Sequence, residues 1–162
     1  MPRSRVALPE LDYLARIGEI AYTVSSLEWT ILGDLHRLKE QLPDDLVLSR
    51  LEPMTTSQIA TAVKRASKEI DESSVKGYLV AVYRALFVAA GLRSDVLHAR
   101  PATHPDQGQR LNRAEVRDRR TTGKRFWIDE EWFDSAISEL NEQLSVVSLM
   151  RPPFTPAEET HS

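Results

Sequence analysis

The segment from Val75 to His98 constrains the fold more than any other part of the chain. It carries two apolar lines at steps of three and four. Val75, Leu79, Val82, Leu86, Ala89, Arg93 and Val96 form one; Val80, Tyr83, Phe87, Ala90, Ser94 and Leu97 form the other. Two such lines cover most of a helix's circumference, which predicts either a helix at the centre of a helical assembly or one at a subunit interface. Its most apolar stretch, Gly77 to Leu92, is 16 residues long and contains Arg84, so it reads as too short to span a bilayer.

Other helices are expected on both sides. From about Glu10 to Gln41, Leu11, Leu14, Ile17, Ala21, Val24, Leu27, Ile31, Leu35 and Leu38 recur at steps of three or four, until Pro43-Asp44-Asp45 ends the run. Residues 46–54 read as a short helical turn or an extended connector. Thr55-x-x-Gln58 is a capping box, with Met54 and Ile59 spaced as its hydrophobic staple, and Ile59, Ala62, Val63, Ala66 and Ile70 form a short amphipathic stripe. Ser73 or Ser74 is the expected N-cap of the helix that follows. A last helix begins at Asp129, with Ile128 and Phe133 as staple, and turns Phe133, Ile137, Leu140, Leu144 and Val147 inward.

Between His98 and Asp129 the helical period fails. Pro101 and Pro105 open an irregular stretch, and QRLNRAEVRDRR-TTG-KRFWI could form a ragged hairpin turning at Gly123. The expected fold is therefore all-α: an up-and-down bundle of four main helices with a short irregular or hairpin insertion before the last. Residues 1–9 read as a flexible arm, 10–150 as one domain with 99–128 inserted, and 151–162, with three prolines, as a disordered tail.

Composition removes some functions. With no cysteine there are no disulfides, no thiolate catalysis and no cysteine-ligated zinc. A net charge of −3 argues against a wholly basic nucleic-acid binder but leaves room for a local basic patch. The N-terminal stretch lacks the apolar core of a signal peptide, so the chain reads as cytoplasmic, with no membrane partner. No metal-ligand spacing, phosphate loop or nucleophile–base motif stands out, and no cofactor is expected.

Arg93 is the residue to explain. It shares a register with Val82, Leu86, Ala89 and Val96, and a guanidinium cannot lose its charge on burial. It must pair with a carboxylate, reach an edge, or line a cleft that takes an anion; Glu28 and Asp95 are the candidate partners. His98 ends the same helix, with Ser94 and Asp95 four and three residues before it, close enough to share its face. Arg93 and His98 are roughly 140° apart on an ideal helix. Either the helix bends, which Gly91 would ease, or a second subunit completes the pair.

An Arg, four to six residues and then a His, at the end of a long apolar helix in a small helical protein, resembles the HEPN family (higher eukaryotes and prokaryotes nucleotide-binding). Arg93 and His98 carry the likeness, and the layout of an insertion after the His followed by one last helix is similar. Family members often place Asn, Asp or His directly after the Arg, where this chain has Ser94. The resemblance implies a metal-independent endoribonuclease that acts as a homodimer, a toxin or phage-defence effector, with an antitoxin or regulatory protein as further partner. His98 would be the general acid–base and Arg93 would hold the phosphate, with Ser94, Asp95 and Glu28 supporting them.

A basic segment offers RNA a track: Arg110, Arg113, Arg117, Arg119, Arg120, Lys124 and Arg125, against Glu115 and Asp118. Phe126 and Trp127 beside it could stack on a base, although Trp127, Trp132 and Phe133 read first as core residues. His36, His104 and His161 lie in no cluster. Two other functions stay open. One is a non-catalytic HEPN-like bundle that binds a nucleotide or protein partner. The other is a helix-turn-helix DNA-binding protein built on residues 55–79, whose second helix offers only Lys76 and Arg84 as basic residues over its first turns.

Overall fold

The computed structural model describes residues 4–118 and 120–153. Arg119 and most of the expected tail, 154–162, lie outside the described residues. In chain order the elements are α1 (Leu11–Arg37), two short 3-10 turns (Lys39–Gln41 and Asp44–Leu46), α2 (Leu48–Leu51), α3 (Thr56–Ala66), α4 (Ser73–His98), β1 (Arg100–His104), β2 (Gly108–Arg117), β3 (Arg120–Ile128) and α5 (Glu130–Met150).

The chain is mixed α/β, not all-α. β1, β2 and β3 form a three-stranded antiparallel sheet in that order, where an irregular or single-hairpin insertion was expected. The insertion yields strands because β1 and β2 close on the turn at 105–107, and β2 and β3 on a turn entered through Asp118, whose φ is 50°. Asp tolerates that left-handed conformation better than most residues. Gly123 is not the hairpin turn. It lies inside β3 where the register slips: Ala114 pairs with Arg125, but Val116 pairs with Thr121. The slip leaves three residues of β3 facing one of β2, and Gly123 takes a φ of 86° there.

The chain divides into two compact units. The first holds residues 1–25 and 88–141; the second holds 26–87 and 142–162. In the first unit, Tyr13, Ile20, Val24, Ala89, Ile128, Phe133, Ala136 and Leu140 are buried. Tyr13 ties α1 to the sheet: its hydroxyl donates to the Ile128 carbonyl at 2.6 Å and accepts from the Leu111 N–H at 2.9 Å. Arg16 joins α1 to α5 through Asp134 at 2.5 Å and Glu130 at 3.5 Å, with its guanidinium 5.5 Å from the Phe133 ring centre. The expected apolar line on the first half of α1 is therefore rotated. Leu11 is 81% exposed and Tyr13 is 2% exposed, because the sheet covers the Tyr13 side.

In the second unit the core is aliphatic: Leu27, Ile31, Leu35 and Leu38 from α1, Ile59 and Val63 from α3, and Val75, Leu79, Val82 and Leu86 from α4. The capping box forms as expected: the Gln58 N–H donates to Thr55 Oγ1, and the Thr55 N–H donates to Gln58 Oε1 at 2.8 Å. The cap of α4 differs from the expected serine. The Glu72 carboxylate accepts from the N–H groups of Ser74 and Val75, and these bonds hold its pKa below the usual carboxylate range. A buried polar knot completes the unit, with Tyr78 Oη and Arg151 Nε each donating to Asp34 Oδ2 at 2.7 Å.

The second apolar line of α4 is the more open one: Phe87 is 39% exposed and Leu97 is 65% exposed. By length and composition α4 is able to cross a membrane, contrary to the expectation from Gly77–Leu92 alone; its most apolar window has a mean hydropathy of 1.5 and is 44% buried. A core helix of a water-soluble protein has the same composition.

Candidate functional site

Arg93 and His98 both lie in the last two turns of α4, within the first unit, and both are exposed. The register that matched Arg93 to the core fails here because the covered face of α4 ends at Ala89, and only Val96 is buried beyond it. Arg93 stands at the rim of a groove of about 170 Å³ formed with Ile17, Ile20, Ala21, Val96 and Leu97. Among the described residues that line the groove, Arg93 alone carries a formal charge.

α4 runs through Gly91 as unbroken α-helix, so no interruption turns the Arg93 and His98 side chains toward each other. The His98 imidazole makes no hydrogen bond or ion pair among the described residues. Ser94 is half-buried. Asp95 does not orient His98. Its carboxylate accepts from Arg113 Nε on β2 at 3.1 Å. Glu28, in the second unit, accepts from Thr56 Oγ1 at 2.6 Å, at the first residue of α3.

The basic segment divides into anchored and open cations. Arg110 packs 4.7 Å from the Tyr13 ring centre and pairs with Glu10 at 2.7 Å, leaving its side chain 12% exposed. That pairing lowers the pKa of Glu10. Arg113 is 14% exposed on Asp95. Arg117 meets Glu115 at 3.2 Å, and Thr122 donates to the same carboxylate, holding its pKa down. Arg120, Lys124 and Arg125 are exposed.

Trp127 and His104, the one expected in the core and the other given no role, come together. Their rings meet edge-on with centres 4.8 Å apart. Arg100 and Asn112, which the sequence reading passed over, share a cross-strand pair beside them. The alternation Arg100-x-Ala102-x-His104 was the available signal, hidden by Pro101 within it and Pro105 just after it. Phe133, by contrast, is a core residue as expected, and Trp132 packs edge-on against it at 5.5 Å. Among the described residues no three His, Asp or Glu side chains gather closely enough to hold a metal ion.

Comparison with protein-family models, with curated proteins and with solved structures returns no match to this chain.

Proposed function

We propose that this protein is a cytoplasmic, metal-independent endoribonuclease of HEPN type that acts as a homodimer, in the setting of a toxin or a phage-defence effector. The observation that carries the reading is the exposure of Arg93 and His98 together at the end of α4, with Asp95 held by Arg113 and not by the imidazole. A cation and a proton-transfer group are what cleavage of RNA by its own 2′-hydroxyl requires. The base takes the 2′-OH proton as that oxygen attacks phosphorus. The 5′-oxygen leaves with a proton, and the guanidinium holds the negative charge on the phosphoryl oxygens. His98 serves the proton transfers, since an imidazole can both accept and donate a proton.

The dimer answers the geometry of the helix. Five residues of α-helix set Arg93 and His98 roughly 140° apart, so a partner subunit's copy of either residue completes a site that one chain leaves open. Leu97, 65% exposed between them, and Tyr22, 78% exposed on α1 in the same unit, give the second copy apolar surface to cover. The helix-turn-helix reading has less support. The first turns of α4 bury Val75, Tyr78 and Leu79 and expose only Lys76 and Arg84 as cations, which is too little for a groove-reading helix.

The test is product chemistry. Single-stranded RNA incubated with the protein in EDTA is expected to give fragments ending in 2′,3′-cyclic phosphate and 5′-hydroxyl, and 2′-O-methyl RNA is expected to stay intact. Binding of RNA or a nucleotide with no cleavage would favour the non-catalytic alternative. Cleavage of 2′-O-methyl RNA, or 5′-phosphate products, would overturn the mechanism.

A further inference from the structure

One face of the sheet combines cations with aromatic rings. Arg100 pairs with Asn112, and Asn112 pairs with Trp127, so these three side chains form one row across all three strands. In the neighbouring row Arg125 is opposite Ala114 and leans back on Asn112. Its Nε donates to the Asn112 side-chain oxygen and its Nη2 to the Asn112 main-chain carbonyl at 3.0 Å. This leaves Nη1 without a partner among the described residues and holds the guanidinium in place. On the other side of the row, His104 supports Trp127 edge-on. The Asp106 N–H donates to His104 Nδ1 at 3.1 Å and orients that ring.

Arg100 and Arg125 are exposed, and His104 and Trp127 are half-buried. Ala102 and Ala114 contribute only methyl groups, which keeps the floor shallow. Arg110, opposite Ala102, shares this face and its charge is met by the Glu10 carboxylate at 2.7 Å, but no strand residue of the face is itself acidic. The only acid within β2, Glu115, has the opposite alternation and is engaged by Thr122 and Arg117.

We propose that this face is a platform for an unpaired RNA strand, with a base stacked on Trp127 and neighbouring phosphates held by Arg100 and Arg125. An aromatic ring flanked by fixed cations on a sheet suits an unstacked base on a charged backbone; a duplex hides its base faces. The proposal rests on the nuclease reading for the choice of RNA. His98 ends α4 two residues before Arg100, so a strand lying along the Arg100 edge runs toward the helix end that carries His98.

The experiment measures binding of the full-length protein to a short labelled 2′-O-methyl oligoadenylate, which cannot be cut. Trp127→Ala and the double variant Arg100→Ala/Arg125→Ala should each weaken binding by about tenfold or more, whereas Trp127→Phe should stay within about threefold. The slope of log affinity against log salt should fall by about 1.4 in the double arginine variant, at about 0.7 per lost phosphate contact. Arg50→Ala, on α2, should keep wild-type affinity. Both arginines are exposed, so the double variant carries the test even where Trp127→Ala fails to fold.

Unchanged affinity in the double variant overturns the proposal, as does tighter binding of a duplex than of the strand. Strand binding through these residues without any cleavage of ordinary RNA keeps the platform and refutes the nuclease. Cleavage by wild type with full affinity in the platform variants does the reverse.

Discussion

Arg113 on β2 donates its Nε to the Asp95 carboxylate on α4 at 3.1 Å, with side-chain exposures of 14% and 34%. The pair fastens the sheet to the helix that carries His98. It also removes Asp95 from the imidazole and Arg113 from any substrate path. Arg113→Ala and Asp95→Asn should each lower stability by about 1–2 kcal/mol in urea titrations, since the pair is only partly screened by solvent. The two effects should be non-additive, with a coupling of about 1 kcal/mol in a double-mutant cycle. Strict additivity would show that the pair contributes nothing.

Helices were legible where apolar spacing and local caps both pointed to them. Thr55 with Gln58 marked the start of α3, and Asp129 caps α5 by accepting from the Trp132 N–H at 2.9 Å, with Ile128 and Phe133 buried as its staple. The sheet was not legible as a sheet. Its strands carry arginines whose charges are satisfied by Glu10, Asp95 and Glu115, partners that only the tertiary fold supplies. The register slip at Gly123 also breaks the period of two on which strand recognition depends. The same hidden sheet explains the rotated start of α1, since Tyr13 is drawn inward by bonds to Ile128 and Leu111. For the candidate site, the sequence located Arg93 and His98 on one helix end. It misassigned Asp95, whose partner lies 18 residues away.

Tyr13→Phe should be costly for so small a change. The hydroxyl satisfies one buried carbonyl and one main-chain N–H at once. Its loss should destabilise the protein by about 1–3 kcal/mol. The check is amide hydrogen exchange. Leu111 should lose protection in the variant while the α3 amides keep theirs, and unchanged protection at Leu111 would refute the clasp.

Tyr78 makes stability fall in alkali. Burial and the Asp34 carboxylate raise the pKa of its phenol well above the usual value of about 10. Burial raises Tyr13 in the same direction, opposed by the Leu111 N–H and Arg110. A group whose folded pKa is raised gives stability that is complete below its unfolded pKa. That contribution declines once the unfolded state releases the proton and the folded state keeps it. Unfolding free energy should therefore drop as pH rises above about 10, with a shallower drop in Tyr78→Phe. Equal slopes in wild type and variant would contradict this.

The most direct test of the central claim is the initial rate of single-stranded RNA cleavage in EDTA by wild type, Arg93→Ala and His98→Ala, each shown to be folded by circular dichroism. The account predicts measurable cleavage by wild type and a loss of about a hundredfold or more in both variants. Cleavage at the wild-type rate by either folded variant would contradict it.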